Sequence, residues 1–198
     1  MAKSEKQKLK LLYTMQCLME KTDEEHAVTT QEIIDYLALQ GIAAERKSIY
    51  TDIDLLTDFG MDIIKKPGRS GGYTLASRQF ELAELKLLVD AVQSSKFITT
   101  KKSRDLIGKL ETLCSKYEAG QLHRQVVVTN RNKTVNENIY YNVDIIYNAI
   151  AENVKIQFQY FEWDVNKEMQ LRRNGKVYEV SPWLLTWDDE NYYLIAYC

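Results

Sequence analysis

Residues 45–75 limit the fold of this chain more narrowly than any other segment. A helical pattern ends at Gly60, and two short β-prone segments, 61–66 and 73–75, follow it around a turn rich in glycine. Within the helical pattern, apolar side chains at i, i+4 and i+7 spacing share one face, and basic and polar side chains occupy the other. The segment is therefore predicted to be an amphipathic helix that runs directly into a β-hairpin.

Two more helical patterns precede this segment. Residues 5–21 carry leucine and methionine at three- and four-residue spacing, and residues 31–39 follow a capping box that begins at Thr29 or Thr30. Three short helices followed by a hairpin match the winged helix-turn-helix plan, in which the third helix reads DNA and the hairpin forms the wing. We predict such a domain over residues 1–78.

The middle and the end of the chain follow different patterns. Apolar side chains at helical spacing predict that residues 79–135 form a helical region that links domains, pairs subunits or does both. Over residues 136–198, one short helical pattern precedes four β-prone segments, with a turn predicted at Ser181-Pro182. This second domain is predicted to be a small barrel or a curled sheet, so the fold class is α+β.

Charge and cysteine usage bear on what the protein binds and where it works. The formal net charge is −2, and residues 136–198 carry 5 basic and 10 acidic side chains, whereas residues 1–78 carry 11 and 12. Because DNA binding depends on where charge lies on the surface, these totals neither support nor exclude it. The cysteines, Cys17, Cys114 and Cys198, lack the spacing of a zinc site. We expect a cytoplasmic protein with buried, reduced thiols, without a membrane span, secretory signal, metal or cofactor.

Two groups of motifs carry a resemblance to known families. Residues 46–75, which contain Ser-Ile-Tyr-Thr-Asp-Ile and Gly-Gly-Tyr-Thr-Leu, resemble the winged helix of DeoR-like regulators. Residues 154–198, which contain Val-Ser-Pro-Trp and Tyr-Tyr-Leu, resemble the first half of the WYL domain, with Tyr192 in place of the tryptophan. The resemblance implies a bacterial transcription regulator whose second domain is an Sm-like small β-barrel that senses a ligand. A homodimer on double-stranded DNA is expected, because one helix-turn-helix reads too few base pairs alone.

The chain departs from these families at three places. Ala44 stands where a serine or threonine commonly caps the recognition helix, so a weaker cap is expected there. Tyr178 stands where many WYL domains carry arginine, which argues against an anionic ligand at that position. Family members usually continue with further strands, so we expect the WYL domain to be incomplete at Cys198.

The outer face of the third helix and the hairpin supply candidate DNA contacts. Recognition helices read base edges through their N-terminal half, and arginine matches guanine. Cations on the hairpin would meet backbone phosphate or the minor groove and would make binding depend on salt. The predicted contacts are Arg46, Lys47, Ser48, Tyr50 and Thr51 on the helix, and Lys65, Lys66 and Arg69 on the hairpin. The alternative is a solvated helix face beside a solvated basic turn.

Aromatic and basic side chains of the second domain supply candidate ligand contacts. The WYL family is associated with nucleotides and single-stranded nucleic acid, and an aromatic ring beside an arginine suits a base and its phosphate. The predicted effector contacts are Tyr160, Arg172, Arg173, Ser181, Trp183 and Tyr192, with Trp163 and Tyr193 in the same aromatic set. The alternative is that Trp183, Tyr193 and Tyr197 belong to the barrel core, because strands favour aromatic residues in any case.

Catalysis has no signature in the sequence. The chain contains neither a P-loop, nor a Rossmann glycine motif, nor a Gly-x-Ser-x-Gly nucleophile turn, so we predict that it is not an enzyme. We expect a sequence-specific DNA-binding regulator whose DNA binding is modulated by a ligand. Two alternatives stay open: a non-catalytic interaction module with a degenerate DNA-binding domain, and an enzyme that processes nucleic acid.

Overall fold

The chain forms two compact units. A computed structural model describes residues 8–68, 71–122, 133–134, 136–165 and 168–198, except for the side chain of Trp163. The first unit consists of residues 1–94 and 103–129, and the second consists of residues 95–102 and 130–198. None of the described helices is both long and apolar enough to cross a membrane.

Helices and short antiparallel sheets make up the described residues, so the predicted α+β class is confirmed. The helices are α1 (Lys10–Lys21), α2 (Thr30–Leu39), α3 (Arg46–Asp58), α4 (Leu82–Ser94), α5 (Thr100–Glu111), α6 (Lys116–Leu122) and α7 (Ile139–Glu152). The strands are β1 (Ile63–Lys65), β2 (Tyr73–Leu75), β3 (Ile156–Gln159), β4 (Phe161–Trp163), β5 (Met169–Leu171), β6 (Val177–Asp188) and β7 (Asn191–Tyr197). Helices α4 and α6 and most of α5 lie in the first unit, whereas the sequence-based division placed them in a separate region over residues 79–135.

In the first unit, α1, α2, α3 and the β1–β2 hairpin enclose one hydrophobic core. The buried members are Cys17, Leu18, Val28, Ile33, Tyr36, Leu37, Ile42, Ile49, Ile53, Leu56 and Tyr73. The predicted buried face of α3 is therefore confirmed. Leu55 and Phe59, which flank that face, are 49% and 79% exposed. The outward side of α3 consequently carries apolar as well as polar side chains.

The starts of α2 and α3 are capped in different ways. Thr29 Oγ1 accepts a hydrogen bond from the backbone N–H of Glu32 at 3.2 Å, and the Glu32 carboxylate accepts one from Thr29 N–H at 2.7 Å. This is the predicted capping box. Helix α3 starts after Glu45, where Ser48 Oγ donates to the Glu45 carbonyl at 2.8 Å and accepts from its N–H at 3.3 Å. The cap position was expected at Ala44, but the N-cap is Glu45, one residue later.

Close backbone approach explains the glycine pair before β2. Val28 and Tyr73 exchange two backbone hydrogen bonds, at 2.9 and 2.8 Å, which join the segment before α2 to the hairpin. A Cβ atom on Gly72 would collide with the carbonyl of Val28, and one on Gly71 would collide with the carbonyl of Lys66. The Gly-Gly-Tyr sequence thus allows the hairpin to pack directly against the chain that enters α2.

Helices α4, α5 and α6 form a second core in the same unit. Its buried members are Leu85, Val89, Ile107, Cys114 and Leu122. Asp23, only 6% exposed, holds the connection between α1 and α2 to the residue before α6, because Ser115 Oγ donates to Asp23 Oδ2 at 2.6 Å. Burial acts to raise the pKa of Asp23, but hydrogen bonds from Ser115 and His26 outweigh it, and this pKa lies below its usual value.

The cysteines occupy two kinds of environment. Burial raises the pKa of Cys17 and of Cys114 to about 11, so both thiols stay protonated at neutral pH. Cys198 is exposed. The expectation of buried thiols is confirmed for the first two cysteines and wrong for Cys198.

The second unit contains α7 and two separate antiparallel sheets. Strands β3, β6 and β7 form one sheet in the order β3-β6-β7, and β4 pairs with β5 in the other. The turn predicted at Ser181-Pro182 is absent: the register shifts between Pro182 and Leu184 while β6 continues. A bulge accommodates a proline, which lacks the N–H that a ladder needs. The described strands form open sheets, not a closed barrel.

Candidate nucleic-acid interface and ligand surface

The N-terminal half of α3 presents cations and a tyrosine to solvent. Arg46 and Lys47 in its first turn are exposed, and Tyr50 is 43% exposed. Asp54, also exposed, follows Tyr50 by one turn. The outward face is therefore basic at the N-terminal end of α3 and acidic toward its C-terminal end.

The hydroxyl groups of two predicted contacts on α3 form hydrogen bonds with the backbone at the start of the helix. Ser48 is half-buried and its hydroxyl bonds to the backbone of Glu45, as described above. The hydroxyl of Thr51 donates to the Lys47 carbonyl at 3.3 Å, although Thr51 is exposed. The other three residues predicted on this helix, Arg46, Lys47 and Tyr50, are all exposed.

The cations of the hairpin have different surroundings. Lys65 is exposed, with its Nζ 6.0 Å from the centre of the Tyr73 ring. Lys66 is half-buried, and its ammonium donates to the carbonyl of Glu24. Lys66 thus ties the hairpin to the connection between α1 and α2. Arg69, the third predicted cation, lies outside the described residues.

A buried ion pair holds α3 against α1, and the sequence reading missed it. Lys10 Nζ lies 2.9 Å from Asp52 Oδ2 and donates to the carbonyl of Ser48 at 3.3 Å. The side chains of Lys10 and Asp52 are 16% and 7% exposed. Helical spacing could have shown that Lys10 faces the core, because Lys10 precedes the fully buried Thr14 and Cys17 by one and two turns.

In the second unit, an exposed tyrosine lies beside an arginine. The Arg172 guanidinium lies 5.8 Å from the centre of the Tyr160 ring, and Arg172 N–H donates to the Tyr160 carbonyl at 2.8 Å. Tyr160 is 52% exposed. The guanidinium Nε also lies 3.9 Å from a carboxylate oxygen of Glu162. The structure therefore brings together two of the predicted effector contacts, with a carboxylate beside them.

A tight turn follows this pair. Arg173 and Asn174 adopt left-handed φ values of 52° and 54°, and Gly175 follows at 79°. Gln159 Nε2 donates to the Gly175 carbonyl at 2.8 Å and holds the turn beside β3. Left-handed backbone is uncommon for arginine, so the turn orients Arg173 at some conformational cost.

The remaining predicted effector contacts lie apart from one another. Ser181 pairs with Tyr197 and Trp187 pairs with Tyr192, so Ser181 and Tyr192 are five residues apart along β7. At roughly 3.4 Å per residue this separation is about 17 Å. Tyr192 is half-buried, whereas Trp183 near the bulge is 69% exposed. The six predicted residues thus do not form a single site.

The aromatic residues offered as an alternative core are exposed instead. Trp183 and Tyr197 are each 69% exposed and Tyr193 is 50% exposed. Tyr193 and Tyr197 share one face of β7, because residues two and four apart along a strand point the same way. On the other face, the half-buried Tyr192 makes an edge contact with Trp187, with ring centres 4.6 Å apart, although Trp187 is itself 49% exposed.

The C-terminal segment contains a domain that a known family model matches. Residues 141–198 match the family model of the WYL domain. The match covers most of α7 and all of β3 to β7, which is less than a third of the chain. WYL domains are common in ligand-sensing transcription regulators. No curated protein matches the chain.

The WYL domain of this chain contains every predicted effector contact. The Tyr160–Arg172 pair lies where β4 begins and β5 ends, and Tyr192 lies at the start of β7. Within the described residues of both units, no group of three histidine, cysteine, aspartate or glutamate side chains is arranged to hold a metal ion. The described surface of the WYL domain carries exposed aromatic rings, and at Tyr160 one of them lies beside the Arg172 guanidinium and the Glu162 carboxylate.

Proposed function

We propose that the chain is a sequence-specific DNA-binding transcription regulator, not an enzyme, whose WYL domain binds a ligand that modulates DNA binding. The first unit would supply a winged helix-turn-helix domain over residues 1–78, with α3 as the recognition helix and β1–β2 as the wing. The observation that carries this proposal is the basic, exposed N-terminal half of α3, opposite a fully packed face. A regulator of this kind would act in the cytoplasm.

The charge gradient along α3 supports one orientation on DNA. Arg46 and Lys47 would lie near base edges and phosphates, because a recognition helix uses its N-terminal residues for base contacts. Asp54 toward the other end would be repelled by phosphate, and Asp52 is already neutralised by Lys10. We propose that Arg46 reads a guanine, that Lys47 and Tyr50 contact phosphate or base edges, and that a homodimer places two such helices on DNA.

The hairpin would add contacts that do not specify sequence. Lys65 is the exposed described cation of β1 and would approach a phosphate. Lys66 holds the hairpin to the Glu24 carbonyl, so its proposed role is to position the wing. Arg69 remains a predicted phosphate contact. The hydroxyl groups of Ser48 and Thr51 bind the backbone of Glu45 and Lys47, so their proposed contribution is to hold the N-terminal half of α3 rather than to contact DNA.

Gel-shift titration with a random pool of DNA duplexes, repeated at two salt concentrations, tests DNA recognition. We expect enrichment of one sequence and a steep loss of affinity with salt. About three phosphate contacts per subunit of a dimer predict a loss of roughly 10³-fold between 50 and 200 mM salt. Equal and weak binding to every duplex would instead favour the interaction module with a degenerate DNA-binding domain.

For the ligand, we propose an anionic molecule with an aromatic ring, of the class of nucleotides or short single-stranded nucleic acid. The Tyr160 ring offers a half-exposed stacking face, and the Arg172 guanidinium lies beside it. Stacking and charge together suit a base with its phosphate. This pair carries the proposal better than Ser181, Trp183 or Tyr192, which lie elsewhere in the domain.

Thermal unfolding of the full chain with added nucleotides and oligonucleotides tests the ligand. At a concentration about 100 times Kd, a ligand that binds only the folded state adds about 2.7 kcal/mol and raises Tm by several degrees. Arg172→Ala should lose this shift, and Lys155→Ala, which removes an exposed cation of the same domain, should keep it. The proposal fails if no compound shifts the wild-type chain, or if the Arg172 variant responds equally.

A further inference from the structure

The loop between α4 and α5, together with the first turn of α5, belongs to the second unit, whereas α4 and the rest of α5 belong to the first. Residues 95–102 group with residues 130–198, whereas Ser94 and Ser103 on either side lie in the first unit. The chain therefore leaves the first unit, enters the second and returns within a short segment. Residues 95–99, which precede α5, are called the strap below.

Backbone groups of the strap are hydrogen-bonded to residues of the second unit. Lys96 N–H donates to Glu190 Oε2 at 3.3 Å, and its carbonyl accepts from Thr134 N–H at 2.9 Å. Lys133 Nζ donates to the carbonyls of Ser95 and Ile98, at 3.0 and 3.4 Å. A loop held by partners far away in the sequence has a defined position, which a connecting loop on a protein surface does not need.

The side chain at the centre of the strap packs against the end of the β6–β7 hairpin. The Phe97 ring makes edge contacts with Trp187, at 5.7 Å between ring centres, and with Tyr192, at 5.0 Å. Trp187 and Tyr192 face each other across β6 and β7 and are the second-to-last cross-strand pair before the turn. The three rings form one cluster, in which Phe97 is the only member from outside the hairpin.

The turn of this hairpin has a strained backbone. Asp189 and Glu190 adopt φ values of 43° and 63°, in the left-handed region. Two-residue hairpin turns of this kind favour asparagine or aspartate followed by glycine, so glutamate at the second position adopts this backbone at a cost. The carboxylate of Glu190 is the group that accepts the hydrogen bond from Lys96. The strap therefore supports the turn at the residue where the backbone is least favourable.

We propose that the strap couples the tip of the β6–β7 hairpin, residues 187–192, to α4 and α5. A displacement of the tip alters the aromatic contacts of Phe97 and the hydrogen bond of Lys96. Because both ends of the strap continue into α4 and α5, the end of α4 and the start of α5 respond. That this coupling carries the ligand signal toward DNA rests on the proposed function, whereas the coupling itself does not.

Hydrogen–deuterium exchange of the full chain tests the coupling. Phe97→Ala is expected to raise exchange roughly tenfold at residues 187–192, in the last turn of α4 and in the first turn of α5, because local opening follows lost packing. Helices α2 and α3 should be unchanged. Tyr193→Ala is the matched control, since it removes the neighbouring exposed ring on the opposite face of β7.

Two outcomes would overturn the coupling: a rise confined to residues 187–192, or the same rise at α4 and α5 in the Tyr193 variant. If Phe97→Ala unfolds the chain, Phe97→Leu takes its place and is expected to raise exchange at the same residues by a smaller factor. If Phe97→Leu leaves exchange in α4 and α5 unchanged, the coupling is rejected. If the wild-type chain does not bind DNA in the gel-shift titration, the proposed function is rejected but the coupling is not. If the chain binds DNA but exchange in α4 and α5 does not change in the Phe97 variant, the coupling is rejected but the proposed function is not.

Discussion

Replacing Lys10 by Met should lower the free energy of unfolding of the first unit by about 3–5 kcal/mol. The Asp52 carboxylate is nearly buried, and the Lys10 ammonium lies 2.9 Å from it. Methionine keeps the length of the side chain and removes the charge, so the carboxylate would remain buried without its counter-ion. The same ammonium also binds the Ser48 carbonyl, and both contacts fix α3 on α1. The loss would therefore weaken the packing of α3, the proposed recognition helix, on α1.

Urea unfolding measures this effect, because the two units can be followed separately. All tryptophans of the chain, Trp163, Trp183 and Trp187, lie in the second unit, whereas most helical residues lie in the first. Lys10→Met should move the circular dichroism transition to lower urea and leave the tryptophan fluorescence transition in place. Lys8→Met, which removes an exposed charge from the same segment, should change stability by no more than about 0.5 kcal/mol.

A double variant separates the ion pair from simple packing. Lys10→Met with Asp52→Leu removes both charges, and apolar replacements of a buried pair are often neutral or stabilising. We therefore expect the double variant to regain most of the stability that Lys10→Met loses. A Lys10→Met chain that is as stable as the Lys8 control would contradict the buried pair.

The helical part of the fold was predictable because its signals are local. The Thr29–Glu32 capping box and the buried face of α3 depend on residues three to seven positions apart, and both are present in the structure. The ion pair of Lys10 was not predictable in this way, because its partner Asp52 lies 42 positions away in the sequence. Helical spacing places Lys10 on the same buried face of α1 as Thr14, but it does not identify Asp52 as the partner of the Lys10 ammonium.

The sheet and the ligand surface were less predictable for a related reason. Pro182 looked like a turn residue, yet a bulge lets β6 continue through it, and only cross-strand pairing reveals this. The same pairing separates Ser181 from Tyr192. Phe97 lies in the region that was predicted to be helical throughout, and its partners in the β6–β7 hairpin are about ninety positions further along the chain. The bulge, the separation of Ser181 from Tyr192 and the contacts of Phe97 all depend on residues that are distant in the sequence. Local periodicity carries no information about such pairing.

Arg46→Ala together with Lys47→Ala should weaken specific DNA binding by about 10³-fold while the fold survives. A guanine contact is worth about 1–3 kcal/mol, and a dimer would lose two of them, or about 4 kcal/mol at the centre of that range. Loss of the Lys47 charges would also make the salt dependence less steep. Both side chains are exposed, so neither substitution removes core packing.

Arg104→Ala with Lys109→Ala is the matched control. It removes the same number and types of exposed cations from α5, in the same unit, and leaves α3 intact. If DNA binding depended only on the net charge of the first unit, both double variants would lose the same amount of affinity. The control should instead change affinity by less than about threefold, the scale of a distant charge screened by salt.

Fluorescence anisotropy with the duplex selected in the gel-shift titration, measured for the wild-type chain and both double variants, tests the DNA-recognition claim most directly. The proposed function predicts that the α3 variant binds the selected duplex no better than an unrelated one, while the α5 variant keeps the wild-type preference. Wild-type preference retained by the α3 variant, with unchanged circular dichroism, would contradict the assignment of α3 as the recognition helix.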